Sequence, residues 1–105
     1  MTLEFLDVKR GSSGPPETAR EKIRGIEELA RMADETRAAG GEVVLAHGVF
    51  DLLHMGHVRH LEAARAEGDL LIVTLTADRY VNKGPGRPIF PEMTRAEMVA
   101  ALSCV

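Results

Sequence analysis

Between Thr18 and Ala39, the apolar residues Ile23, Ile26, Leu29, Ala30 and Ala33 recur at helical spacing, which predicts an amphipathic helix. Gly40-Gly41 supplies its C-terminal stop. Glu42 to His47 carries the run Val43-Val44-Leu45-Ala46 and predicts a buried strand, with a loop beginning at Gly48. A second helix is predicted from Gly56 to Glu67, ended by Gly68, with Val58, Leu61 and Ala64 on its apolar side. Leu70 to Thr76 is almost continuously apolar, as a strand covered on both faces requires. Residues 77–93 read as a long loop with three prolines and two glycines. Thr94-x-x-Glu97 is a capping-box pattern that opens a last helix on Met98, Val99 and Leu102.

Strand, helix and strand within about 35 residues make a βαβ unit, so parallel pairing follows. The fold class is α/β, a Rossmann-like parallel sheet with flanking helices. Residues 1–17 contain Gly11-Ser12-Ser13-Gly14-Pro15-Pro16 and read as a flexible N-terminal tail. Within it, Met1–Val8 is mildly apolar and offers an edge strand. Residues 18–105 form the folded part.

Length and charge narrow the function classes. A chain of 105 residues is one domain, with 45% hydrophobic and 28% charged residues. The net charge is −3, from 16 acids against 13 bases, so no basic excess serves a general nucleic-acid binder. Cys104 is the only cysteine, which excludes an intramolecular disulfide and a cysteine-based zinc site. No apolar run approaches the roughly 20 residues that span a bilayer, and the first residues lack a signal-peptide h-region. The expected location is the cytoplasm, with neither membrane nor nucleic acid as partner.

The chemistry concentrates in Gly48-Val49-Phe50-Asp51-Leu52-Leu53-His54-Met55-Gly56-His57. His54 and His57 are three apart at a predicted helix N-terminus, which puts both rings on one face. Free backbone N–H groups and the positive end of the helix dipole point the same way. Gly56 removes a side chain where a phosphate would approach. The arrangement suits polyphosphate. His60 extends the spacing, but steps of three along a helix drift by about 60° each, which spoils convergence on zinc. No metal site built from protein ligands is expected. His47 lies at the end of the first predicted strand, where α/β ligands collect. Asp51 can cap the turn with its carboxylate. Lys83 and Arg87 flank a Gly-Pro-Gly turn after the second strand, again bordering the ligand crevice. Neither GxGxxG nor a Walker loop occurs.

The stretch from Gly48 to His57 resembles the nucleotidyltransferase superfamily of cytidylyltransferases, adenylyltransferases and class I aminoacyl-tRNA synthetases. Glu42–His57, Leu70–Thr76 and Lys83-Gly84-Pro85-Gly86-Arg87-Pro88, followed by Arg95-Ala96-Glu97, are similar to the domain that adenylylates heptose 1-phosphate. The resemblance runs from about Ile26 to Val105. It implies catalytic roles for His54, His57 and Lys83, the last at the phosphates. It implies nucleotide binding by Gly48, Val49, Phe50, Asp51, Gly56 and His57. Acceptor contacts are expected of His47, Arg87 and Arg95, the last matching an arginine that opens the corresponding helix in relatives.

The implied reaction is attack by a sugar phosphate on the α-phosphate of an NTP, ATP favoured, with release of pyrophosphate. Mg²⁺ is the expected cofactor, bridging phosphate oxygens. A CTP-dependent cytidylyltransferase acting on a polyol or amino-alcohol phosphate is the enzymatic alternative. A non-catalytic nucleotide-binding or docking module is the alternative of another class. The superfamily core has more than two strands, so the chain reads as the N-terminal part of a longer protein, its fold incomplete. Some relatives are fused to sugar kinases, and such a domain beyond Val105 is an expected partner. A homodimer is a further expectation.

Overall fold

The computed structural model describes residues 2–6, as backbone, and residues 18–105. Four strands form one sheet in the order β2-β1-β4-β3, with β1 at Thr2–Leu6, β2 at Ile23–Arg24, β3 at Val43–Gly48 and β4 at Leu70–Leu75. Three helices accompany them: α1 at Ile26–Ala38, α2 at Met55–Ala66 and α3 at Glu92–Ala100. β3 and β4 pair in parallel, from Val43 opposite Leu70 to Gly48 opposite Leu75, with α2 as the crossover. This is the expected βαβ unit in a Rossmann-like α/β fold.

The alternation of side chains along β4 explains the layers. Leu71, Val73 and Leu75 face α2 and α3, where they pack with Ala46, Leu61, Ala96 and Val99. Leu70 and Ile72 face the other way, onto Leu29 and Ala33 of α1. A strand covered on both faces has no polar side to present, hence its nearly unbroken apolar run. Leu61 is wholly buried, and burial of such a side chain contributes about 1.5–3 kcal/mol.

Several sequence expectations are corrected. Thr2–Leu6 is an interior strand, antiparallel to both β2 and β4, so the edge-strand expectation fails and the sheet is mixed rather than wholly parallel. Met1 and residues 7–17 of the expected tail lie outside the described residues. The helix expected from Thr18 begins only at Ile26, because Arg20–Lys22 forms a 3-10 turn and Ile23 pairs with Leu3 of β1. Gly25, in extended conformation, is its N-cap. Ile26 and Ala30 are exposed, and the buried stripe is Leu29 and Ala33. The last helix starts at Glu92 with Pro91 as N-cap, ahead of the expected capping box at Thr94. There the Asp78 carboxylate accepts the Glu92 N–H at 3.3 Å, so a cap from outside the helix replaces the local one.

Candidate functional site

The site is built on the turn that joins β3 to α2. Phe50 has φ +51°, a left-handed conformation that costs a non-glycine residue about 1–3 kcal/mol. Its ring is buried and lies directly against Gly48, where an added Cβ would meet ring carbons at 2.8 and 2.9 Å. The turn thus folds the aromatic ring back under the strand end, and core burial holds the unfavourable backbone.

His54 is the N-cap of α2, and the two histidines cap the helix reciprocally. His54 Nδ1 accepts the Gly56 N–H at 3.0 Å, and His57 Nδ1 accepts the His54 N–H at 3.2 Å. A neutral imidazole that accepts at Nδ1 carries its proton on Nε2, so each ring keeps one N–H donor for a ligand. The rings stack with centroids 4.0 Å apart, and His57 meets Phe50 edge-on at 5.4 Å. Gly56 proves necessary for the cap itself: an added Cβ would lie 2.7 and 2.9 Å from atoms of the His54 ring. The space expected for a phosphate at Gly56 is taken by that ring.

Burial pushes the His57 imidazole below its ordinary pKa, and the charges of His54, Lys83 and His60 push it the same way. His57 is therefore neutral at pH 7, a hydrogen-bond donor rather than a cation. The structure brings His54 and His57 together, and Lys83, which is exposed, contributes to the lowering of the His57 pKa through its charge. Gly84 and Gly86, beside it, both have positive φ. His60 is exposed.

Asp51 is 2% exposed and accepts four hydrogen bonds from three donors. Arg87 Nε donates at 2.5 Å, the Ile89 N–H at 2.8 and 3.0 Å to the two oxygens, and the Phe90 N–H at 3.1 Å. Burial alone would raise this carboxyl. The Ile89, Arg87 and Phe90 hydrogen bonds and the Arg87 charge outweigh it and hold the pKa at about 2. Asp51 therefore clamps the segment after Lys83 onto the histidine turn, with its oxygens fully occupied. Arg87, expected at the substrate, is the other half of that clamp.

Arg95 is corrected more strongly. It is 0% exposed and points inward. Its guanidinium donates to the carbonyls of Phe90 at 3.0 Å and Val49 at 2.7 Å, and to Asp78 Oδ1 at 2.6 Å. A buried cation without such partners would destabilise the fold by about 3–5 kcal/mol. No route to an acceptor phosphate remains for it. Val49 offers its carbonyl to that arginine rather than to a ligand.

His47 projects from the α1 face of the sheet. Its Nδ1 lies 2.7 Å from Thr74 Oγ1 and its Nε2 3.2 Å from Thr76 Oγ1. The ring is exposed at the strand ends, though both nitrogens already have hydroxyl partners. Sequence reasoning missed Asp78 and Glu92. The Asp78 N–H donates to Glu92 Oε1 at 3.0 Å, and the Glu92 N–H returns to Asp78 Oδ2. Their only signal was an acid at the end of a strand and another beside a proline. An open groove of about 450 Å³ beside α3, between Arg20 and Met98, contains none of the motif residues.

Among the described residues, no group of three His, Cys, Asp or Glu side chains is placed to hold a metal ion. Asp51 and Asp78, the carboxylates that tie the site's segments together, are committed to protein donors. These residues therefore do not fit a protein-held Mg²⁺. Among the described residues no helix is long and apolar enough to cross a membrane.

The family model for cytidylyltransferase-like proteins matches residues 45–105. The chain is 48% identical over 86 residues to the bifunctional protein HldE of Trichlorobacter lovleyi, and 46% identical to that of Syntrophotalea carbinolica. Each match covers 80% of this chain and 18% of the relative. HldE of Methylobacillus flagellatus is 44% identical over 87 residues, 81% of this chain and 18% of that protein. The chain thus spans about a fifth of the length of these relatives. The family match takes in more than half of its residues and the whole turn from Gly48 to His57, so the chain belongs to the cytidylyltransferase-like family.

Proposed function

We propose that this protein transfers a nucleotidyl group from an NTP, ATP favoured, to a sugar phosphate. The observation that carries the reading is the pair of helix-capping imidazoles, each keeping an Nε2–H, with the Lys83 charge alongside. An acceptor phosphate oxygen forms a bond to the α-phosphorus. The bond from that phosphorus to the bridging oxygen breaks, and pyrophosphate departs with the electron pair. The acceptor is an anion at pH 7, so no side-chain base is needed. His54 and His57 donate to oxygens whose charge grows as pyrophosphate leaves, and donors of this kind act mainly in the transition state. Lys83 neutralises phosphate charge as a point cation. Mg²⁺ would enter on the triphosphate; the side chains described here take no step through it.

The ATP and sugar-phosphate preference follows the resemblance of Glu42–His57, Leu70–Thr76 and the Lys83 loop to the domain that adenylylates heptose 1-phosphate. The family description favours a second reading, a CTP-dependent cytidylyltransferase acting on a polyol or amino-alcohol phosphate. The relatives' bifunctional name fits a second activity in the same protein, and the resemblance makes a sugar kinase the candidate for it. The test is a pyrophosphate-coupled assay of the full-length protein over ATP, CTP and a panel of phosphorylated acceptors. Acceptor-dependent pyrophosphate release with ATP is expected. Release with CTP alone selects the second reading. Nucleotide binding with no release from any pair would mean a binding module and overturn both.

A further inference from the structure

One guanidinium touches all three segments that carry the site. Arg95 holds the Val49 carbonyl, at the start of the turn that leads to His54 and His57. It holds the Phe90 carbonyl, in the segment that Asp51 also grips. It holds Asp78, just after β4 and before the stretch that carries Lys83. The stretch between these anchors is exposed from Asn82 to Gly86, where the backbone bond given is Arg87 N–H to the Gly84 carbonyl at 3.3 Å. Where Lys83 stands is therefore decided at the two ends of its loop. Arg95 meets both ends and the histidine turn as well.

We propose that Arg95 is a positioning residue that sets the Lys83 loop in register with the His54–His57 pair. It touches no ligand; burial and three protein acceptors occupy it fully. A planar fork of donors can bridge three acceptors in fixed directions, whereas an ammonium on a flexible stem cannot. The same contacts hold the left-handed Phe50 turn, since Val49 immediately precedes it. The purpose of the arrangement rests on the nucleotidyl-transfer reading, but its geometry does not.

The test reads the arrangement without turnover. His57 feels the charges of His54, Lys83 and His60. Its ring can be titrated by NMR in the full-length protein. Lys83→Ala should raise the His57 pKa, because a nearby cation is removed. In an Arg95→Lys background the rise on adding Lys83→Ala should fall below about half its original size, since Coulomb coupling fades with distance and screening. Circular dichroism checks that this background is folded. Asp78→Asn releases only the start of the loop, and it should shrink the rise in the same direction. It serves alone if Arg95→Lys does not fold. An undiminished rise in the folded backgrounds, or no rise in the first place, overturns the proposal. Absence of pyrophosphate release would defeat the functional reading and leave this result standing.

Discussion

Arg87 Nε donates to Asp51 Oδ2 at 2.5 Å across 36 residues of sequence, so the loop that carries Lys83 is fastened to the turn that carries the histidines. The pair turns two segments into one unit. It also reassigns two residues that, from sequence, belonged to the substrate. Arg87 is half-buried and spends its charge on Asp51, and Asp51 spends its oxygens on Arg87 and two backbone N–H groups.

This clamp carries a pH signature. Folding depresses the Asp51 pKa from 3.8 to about 2, so it favours the ionised form. The stabilisation is fully present above pH 3.8 and is lost as the pH falls through about 2. Asp51→Asn should lower the denaturation midpoint at pH 7 and flatten the loss of stability across that acid window. Chemical denaturation at several pH values is the measurement. Equal acid sensitivity in both proteins would refute the clamp.

His57→Ala should lower kcat by about 10²–10³ with a much smaller effect on nucleotide affinity, as expected for a donor used on developing charge. The reciprocal cap is lost as well, at about 0.5–2 kcal/mol of stability. Steady-state kinetics beside a thermal melt separates the two effects. Unchanged kcat would remove His57 from the chemistry.

Lys83→Ala and Arg87→Ala should now differ in kind. Lys83→Ala should raise the nucleotide KM and weaken its salt dependence, because a solvated point charge senses ionic strength. Arg87→Ala should lower the melting temperature and leave the salt dependence of KM in place. Matching phenotypes for the two would argue against the division of labour seen here.

Gly48→Ala should destabilise by about 1–3 kcal/mol, since the new Cβ would overlap the Phe50 ring and the ring has a packed core behind it. Urea denaturation reads the change. A neutral result would mean that the Phe50 turn can shift freely.

Much of this protein was legible in its sequence. Periodicity is local, so β3, α2 and β4 appeared within one residue of their true bounds. The placement of His54 and His57 together at a helix N-terminus was legible too, because a helix N-terminus and a spacing of three are properties of one short segment. What the tertiary structure decided lies in pairs far apart in sequence. Thr2–Leu6 became an interior strand because β4 had an open edge and β2 lay beyond it, a matter of hydrogen bonds that no pattern within five residues contains. Arg95 looked like a surface cation on a helix. Burial matched it with Val49, Phe90 and Asp78, since a charge removed from water must find acceptors wherever the fold brings them. The sequence alone determined which polar and charged side chains stand near the turn; the fold determined which of them are committed to protein partners.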